Sequence, residues 1–585
     1  MRGKLTPHRA WRLPAATALG IASIAALTLT AAVPASATPR PGSAATAAPR
    51  TGHLPKAGAT RKPTHMRTAR CTITASGHLA HCPAKLPVSA LPRGARDHAK
   101  VTAPVANPAK MVDTRTWTSG GGNTFPGADV PFGQVQWSPD TMPNNNAGGG
   151  YSYGDSQLWG YSLTHISGPG CGAAGDVPIL PMTGGLPSGD PAKSVTSFTN
   201  TGEVAQAGYY SAESNLPNTI TSDFAETAHS AMGQFTFPKT TQADFLVKLM
   251  ASQNGNFGTS ATIVGNDEIQ GSVTSGQFCG EPVNDGQTQQ YTVYFDVVFN
   301  HPFTASQIVT ESGQTDPDSV FLTFNTTSSP VIDAKVGISY VSAANAKQNW
   351  QAENSGWNFG AVKNAAQADW NKLLGRIQVS GGSYAQTQEF YSLLYKDFLQ
   401  PNITSDVNGQ FMGADLKVHS VAPGQKDQYG MYSGWDIYHS LSELQAMLDP
   451  RPAGDQAQSQ VNYYSEDKLL QQWGYDNLNN YVMVGDPMQS IIAYYYTFGA
   501  HNFDTKQALA DMLAQATTVN DVRPGEALEQ QYGYLPEDGA YGCCNPHGFM
   551  STLLEYDSED LALAQFAGDM GDRSDAAMLT RRANN

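Results

Sequence analysis

Residues 331–354 read VIDAKVGISYVSAANAKQNWQAEN, and the chain changes character inside them. Up to residue 341 the apolar side chains alternate with polar ones or run in β-branched groups, the period-2 pattern of a strand. From 343 onward Ala, Gln, Lys and Glu take over, with no Gly or Pro to interrupt them, and this composition favours helix. Upstream, the runs MGQFTFP, QADFLVKLMAS, SATIVG, EIQGSVTSG, YTVYFDVVF and SVFLTFN repeat the strand pattern, with Gly, Asn, Pro and Asp between them. Many short strands with turn signals predict a β-sandwich over residues 111–342. Downstream, FGAVKNAAQADWNKLLG continues a pair of connecting helices over 343–375. AQTQEFYSLLYKDFLQP then sets Phe390, Leu393, Leu394 and Phe398 at helical spacing and stops at Pro401. WDIYHSLSELQAMLDP, PMQSIIAYYYTFGAH, DTKQALADMLAQATT and DLALAQFAGDMGD follow as further helices, so residues 376–585 read as a helical toroid or bundle.

Composition narrows the function. Hydrophobic residues make up 40% and charged residues 15%, enough apolar material for a sizeable core. The formal net charge is −15 and unevenly spread: residues 111–585 hold 19 basic and 49 acidic side chains, a net of −30. Such a surface repels phosphate backbones and anionic membranes, which excludes nucleic acid as the main partner. At the other end, four basic residues precede an apolar run over 13–33 and the small-residue pattern Ala35-Ser36-Ala37. This is the order of an export signal, with cleavage expected after Ala37, a secreted product and no stable membrane anchor thereafter. Residues 38–110, rich in Pro, Ala, Thr, Arg and Lys, read as a linker. Its Cys71 and Cys82 suit a small disulfide loop in an exported chain. The pairing of Cys171, Cys279, Cys543 and Cys544 stays open.

Four stretches are dense in chemistry. Residues 120–181 are rich in Gly and Pro, and offer Trp137 and Trp159 as flat faces for sugar stacking, with His165 and Asp176 as polar groups. YSGWDIYHS (432–440) places Trp435 and Asp436 at a helix start, where Asp also serves as an ordinary cap. QQWGYDNLNNYVMVGDP (471–487) is polar and Asn-rich ahead of an apolar helix. GYLPEDGAYGCCNPHGFMSTLLEYDSEDLALAQFA (533–567) gathers Glu555, Asp557, Glu559 and Asp560 within six residues. Acids this close raise one another's pKa unless a cation or sugar hydroxyls engage them, and oxygen ligands of this kind suit calcium rather than magnesium.

Taken in order, GNTFPGADVPFGQVQWSPDT, GYSLTHISGPGCGAAGDVPILP, PNITSDVNGQFMGAD, YSGWDIYHSL, MVGDP and YLPEDGAYGCCNPHGFMSTLLEYDSEDLALA resemble glycoside hydrolase family 92, the calcium-dependent exo-acting α-mannosidases. The resemblance runs from about residue 113 to the end. It implies an N-terminal β-sandwich, a C-terminal (α/α)6 barrel and an active site in the cleft between them. It implies inversion at the anomeric carbon, with two carboxyl groups about 6.5–9.5 Å apart to admit a water. Mannose-bearing glycans or mannoproteins are the implied substrates and Ca2+ the implied cofactor. Carried over by motif position, Asp560 is the general base, with Asp557 in the base region. Glu555 and Asp557 are calcium ligands or their supports. Asp436, beside Trp435, meets sugar hydroxyls, and His165, Trp137 and Trp159 line the sandwich side. Where the family commonly carries a catalytic Glu, this chain has Asn479, which cannot donate a proton at a useful pKa. Asp476, Glu537 or Asp538 are the possible substitutes. The substitution also fits a substrate whose leaving group departs unaided, such as a mannosyl phosphate, or a non-catalytic carbohydrate-binding relative. The chain ends within MLTRRANN, reading as mid-helix, so the barrel is expected to be partial.

Overall fold

The computed structural model describes residues 97–584, apart from 145–146, 277, 281–289, 312, 538–540 and 542–547, together with two short paired strands, Thr72–Ile73 and Leu79–Ala80. The export signal, the Cys71–Cys82 loop, Asp538 and the Cys543-Cys544 pair lie outside the described residues.

Fourteen strands, from Ser138–Met142 to Val331–Ser339, hydrogen-bond into one antiparallel sheet. The sheet turns back on itself at Thr196–Gln206. That strand pairs with Gln157–Ser162 at its start and with Tyr209–Ser214 along the rest, with a register break between Thr199 and Val204. A bulge of this kind bends a strand and increases its twist. The two halves then face each other across aromatic side chains. Phe235 and Phe299 from one half meet Phe245 of the other, with ring centroids 4.9 and 5.3 Å apart. Alternation along each strand supplies the layer: Phe295, Val297 and Phe299 are buried in one strand, Val320, Leu322 and Phe324 in another.

The helix Ala343–Glu353 begins at Ser342, whose hydroxyl accepts the Asn345 N–H at 3.1 Å, and lies against the last sheet strand. Gly337 permits that approach: a Cβ there would stand 1.9 Å from the Ala346 carbonyl oxygen. Phe359–Leu374 and Tyr384–Lys396 follow, the latter with a reciprocal Ser383/Gln386 cap. The end of the expected linker is docked rather than free. Val101 exchanges backbone bonds with Gly381 and Gly382, and buried Ala109 donates its N–H to the Asn371 side chain at 2.9 Å.

The remaining helices pack around Ile491, Ile492, Tyr495, Leu563 and Phe566. WDIYHSLSELQAMLDP is two helices, Gly434–Ile437 and Leu441–Leu448, broken where Ser440 takes a φ of +80°. The eighteen-residue helix Pro450–Asp467 carries no strong apolar stripe. Its buried polar side chains are hydrogen-bonded instead: the Ser459 hydroxyl accepts from the Tyr429 N–H and Gln456 Oε1 accepts from the Tyr495 hydroxyl. Among the described residues no helix is long and apolar enough to cross a membrane.

Candidate active site

The helix Phe549–Asp569 carries the acidic cluster. Thr552, Tyr556, Glu559, Asp560, Leu563 and Phe566 form its buried face, so two carboxylates are turned inward with the apolar side chains. Burying charge without a partner is strongly unfavourable. The partner here is Arg523, itself wholly buried. It donates from Nε to Asp486 Oδ2 and from Nη2 to Asp560 Oδ1, both at 2.9 Å, and lies over the Tyr556 ring at 4.5 Å. A second guanidinium, Arg582, also clamps Asp560 and donates to Glu526 Oε1 at 2.7 Å. Five acids, Asp486, Glu526, Glu529, Glu559 and Asp560, thus surround two arginines.

Glu559 and Glu529 are the least satisfied of these acids. Neither carboxylate oxygen of Glu559 has a well-formed hydrogen-bond partner. The Asp486 N–H lowers its pKa a little, and Arg523 stands off at 3.8 Å. Burial dominates and pushes this carboxyl well above its usual range. Gly485, at φ +90°, packs closely against the wholly buried Glu559; a Cβ there would stand 2.5 Å from its Oε1. Glu529 is likewise pushed up, to about 7, by burial.

Two sequence-remote loops close on this helix. Glu555 Oε1 accepts the Trp435 indole N–H at 3.1 Å, and Oε2 accepts the Tyr438 hydroxyl. Gly434 sits so close to the 472–487 loop that a Cβ would stand 2.1 Å from the Gln472 carbonyl oxygen and 2.5 Å from Pro487. Gln472 in turn donates to the Gly485 carbonyl at 2.9 Å. Asn479 braces the same loop: its Oδ1 accepts the N–H groups of Gln472 and Trp473, both at 3.1 Å. The 432–440, 471–487 and 549–560 stretches therefore meet at one place. Asp436 is exposed beside it and accepts the Ser433 hydroxyl.

Other expectations are corrected. Asp560 is held by two arginines, Arg523 and Arg582, whereas Glu559 is not hydrogen-bonded by either. Asp557 has Asp560, Arg582 and Arg523 as its charged neighbours and is not joined to Glu555. Glu555 already receives two donors. Among the described residues the only three acidic ligands with ligand atoms within 4.8 Å of one another are Asp190, Glu311 and Asp318. Glu555 and Asp557 do not belong to a group of three such ligands. Asp476, the expected substitute acid, is wholly buried and faces the sandwich, with Tyr340 and Asp176 as its neighbours. Glu537 is exposed. Trp137 offers no face to a sugar: it is fully buried against Phe224 and Phe235 and donates its indole N–H to the Tyr161 carbonyl at 3.1 Å. His165 is buried between Gln136 and Asp140. Trp159 is half-buried on another face of the sandwich, its N–H on the Ala192 carbonyl.

The sandwich nevertheless supports the site from behind. Thr164 and Tyr291 both donate to Asp176 Oδ2, at 2.9 and 2.7 Å. Tyr291 bonds to the Tyr475 hydroxyl at 3.0 Å, and that hydroxyl accepts the Ala174 N–H at 2.6 Å. Tyr475 belongs to the hairpin that ends at Asn479. Cys171 and Cys279 are disulfide-bonded beside this contact, where Phe278 packs on Trp473 at 4.2 Å.

Comparison with known proteins places both halves of the chain in one family. Residues 111–339 match the glycosyl hydrolase family 92 N-terminal domain and residues 345–585 the glycosyl hydrolase family 92 catalytic domain. The chain belongs to glycoside hydrolase family 92. A solved family 92 α-mannosidase from Bacteroides thetaiotaomicron superposes with a TM-score of 0.72 at 26% identity, over 82% of this chain and 64% of that one. A family 92 inverting mannosidase of the same organism gives 0.71 at 23% identity, over 82% and 64%, a likeness of fold. An uncharacterized secreted glycosidase of Arthroderma benhamiae is 24% identical over 327 residues, half of this chain and 41% of that protein. The chain spans less than two thirds of the length of these relatives. Arg523, Glu526 and Glu529 escaped the sequence reading because a lone Arg in DVRPGEALEQ carries no local mark of burial.

Proposed function

We propose that the protein is a secreted exo-α-mannosidase of the inverting type, acting on mannose-bearing glycans or mannoproteins, within a sandwich joined to an (α/α)6-type barrel. The observation that carries this reading is the meeting of the Trp435, Gly485–Asp486 and Glu555–Asp560 segments around one buried charge cluster. Glycoside hydrolysis with inversion needs a carboxylate to take a proton from water on one face of the sugar. Glu559 is suited to that step. Burial makes it the stronger proton acceptor once ionised, and the missing Cβ at Gly485 leaves room beside its Oε1. Arg523 fixes Asp486 and Asp560 on either side and keeps the cluster's charge in balance. Trp435, oriented by Glu555, gives an aromatic edge for the sugar ring, and exposed Asp436 gives an acceptor for its hydroxyls.

The proton for the leaving oxygen is the distinguishing question. Asn479 is engaged as a loop brace and cannot supply it. This favours a mannosyl phosphodiester, whose phosphate leaves as an anion without protonation. Membership of the family supports a calcium requirement.

The test is turnover of 2,4-dinitrophenyl α-mannoside, α-1,2-mannobiose and a mannosyl phosphodiester by the full chain, each with calcium and with chelator. Calcium-dependent release from the first and third alone is expected. Cleavage of the mannobiose at a comparable rate would show that another acid serves. No turnover of any substrate would leave a carbohydrate-binding protein.

A further inference from the structure

One group of carboxylates stands apart from the cluster just described. Asp190 lies between the strands Ile179–Thr183 and Thr196–Gln206. Glu311 and Asp318 lie between Ala305–Val309 and Ser319–Phe324. These two connections come together at one end of the sandwich, on a cleft of about 520 Å3 whose wall includes Trp159 and Met250. One oxygen from each of the three acids lies within 4.8 Å of the other two.

Asp318 decides how this group is read. The residue is 4% exposed. Its backbone is fixed on both sides, its N–H on the Val309 carbonyl and its own carbonyl accepting from Leu249 and Met250. Its Oδ2 is buried with no well-formed hydrogen bond, the adjacent Ser319 hydroxyl being the polar group beside the carboxyl. A buried carboxylate oxygen without a donor is an unfavourable arrangement that a folded protein normally relieves. Burial first, then the charges of Asp190 and Glu311, push this carboxyl above its usual range, while Ser319 and Lys248 counter them in part.

The basic groups nearby do not relieve it. Lys248 points its ammonium at two carbonyls, Trp159 and Ser194, each at 2.6 Å, and burial lowers its pKa to about 7. Lys193 reaches Asp190 Oδ2 at 2.7 Å, but its side chain is 84% exposed, and exposed pairs of this kind contribute little. Asp190 Oδ1 accepts the Ala192 N–H at 2.9 Å, which orients the carboxylate and leaves lone pairs free.

We propose that Asp190, Glu311 and Asp318 form a calcium site in the sandwich, separate from the glycosidase cluster, that ties the two connections together. The ligands are all oxygens, with no His or Cys among them, which selects a hard cation. One oxygen from each acid lies close enough to the other two to share a single ion. Glu311 is exposed and can adjust, as calcium's variable coordination allows and magnesium's strict octahedron does not.

The test is calcium binding by equilibrium dialysis on the full chain, with terbium luminescence excited through tryptophan as a second readout. Trp159 donates its N–H to Ala192, the residue whose own N–H Asp190 holds, so it is placed to sensitise a bound terbium. Glu311→Gln, on an exposed side chain, is expected to fold normally and to weaken one class of calcium by roughly tenfold or more, since affinity at oxygen sites follows ligand charge. Asp318→Asn is expected to remove that class. Trp159→Phe is expected to dim the terbium signal with calcium stoichiometry unchanged. Asp316→Asn, on the same cleft but outside the cluster, is expected to change neither. Mannosidase turnover per folded molecule is expected to be equal in all four. Calcium stoichiometry and affinity identical in Glu311→Gln, Asp318→Asn and the parent would overturn the assignment, as would a parent that binds no calcium outside the Glu555–Asp560 cluster.

Discussion

Both halves of the molecule bury carboxylates, and they neutralise them in different ways. In the sandwich, Asp129 and Glu226 lie together with no salt bridge to either among the described residues. Each accepts one backbone N–H, from Val130 at 2.8 Å and from Trp137 at 2.6 Å, and each leaves its other oxygen unpaired. Burial pushes both well above the usual carboxylate range, and their mutual repulsion adds to the effect at Glu226. A retained proton is the economical answer there, and such a pair is chemically quiet. In the helical half, Arg523 and Arg582 hold Asp486 and Asp560 by direct ion pairs. Two guanidinium groups do not balance five acids, so three carboxyls are in excess. Glu529 and Glu559 are the two with neither oxygen in a well-formed hydrogen bond, and Glu559 packs against Gly485. Neutralising by protonation stabilises a core. Neutralising by a limited number of arginines leaves a reactive group at a fixed position.

Removing that group is expected to have the largest effect on rate. Glu559→Gln keeps the size and polar character of the side chain and abolishes its basicity. It should lower kcat by about 10²–10⁴-fold, the usual contribution of a positioned base, with the melting temperature unchanged or raised. Asp129→Asn, its counterpart in the sandwich, should leave kcat alone. Equal kinetic loss in the two variants would erase the distinction drawn between the two acid groups.

Arg523→Ala comes next. It strips the charge balance from Asp486, Glu559 and Asp560 and opens a cavity beneath Tyr556. Breaking a buried pair on one side costs about 3–5 kcal/mol. The fall should be largest at alkaline pH, where the stranded acids are ionised, and denaturant unfolding across pH measures it. A loss independent of pH would mean that Arg523 acts by packing alone.

The two halves also differ in how far the sequence announced them. Period-2 runs such as YTVYFDVVF and VIDAKVGISYV have one reading, because an alternating face must be buried against something, and they became the core strands Gln290–Phe299 and Val331–Ser339. The helical half was legible where apolar spacing was strong, as at Met488–Thr497, and illegible at Pro450–Asp467, where Gln and Ser are buried through hydrogen bonds that no local pattern reveals. The motif clusters 432–440, 471–487 and 555–560 were visible as compositions, and they do meet. Which carboxylate among them is free was not visible, because that depends on Arg523 and Arg582, brought in from 37 and 22 residues away from Asp560. Trp137 was misjudged for a related reason: a Trp in a Gly-rich stretch looks exposed, and only the facing Phe224 and Phe235 show that it is core.

Glu529 gives a finer measure of the charge imbalance. Its folded-state pKa is about 7, raised by burial, against 4.5 in an exposed chain. The unfolded chain therefore ionises first as pH rises. Stability from this residue is fully present below about pH 4.5 and is lost progressively up to about pH 7. Glu529→Gln removes that loss. It should match the parent near pH 4 and exceed it at pH 8 by on the order of 2 kcal/mol. A variant less stable than the parent at pH 8 would mean that Glu529 is held ionised by Arg582, which lies 3.6 Å away.

The smallest expected effect lies in the sandwich, and it tests whether that half is scaffold alone. Phe245 is wholly buried and its ring touches Phe235, Phe237, Phe299 and Phe324, with centroids between 4.9 and 5.6 Å. It joins the two faces of the folded sheet without meeting the Asp176–Tyr291–Tyr475 chain that backs the hairpin. Phe245→Leu retains most of the apolar volume and loses the edge-to-face contacts, so it should cost about 1–1.5 kcal/mol in stability. Turnover per folded molecule should be unchanged. Tyr291→Phe in the same layer removes a single hydroxyl and should cost a comparable amount, about 1 kcal/mol. In that variant KM and kcat should move, because the hydroxyl it removes is the one that links Asp176 to Tyr475 behind Asn479. If both substitutions leave the kinetics untouched, the sandwich only stabilises the fold. If both alter them, the two halves are coupled through the whole aromatic core and not through one hydrogen-bonded chain.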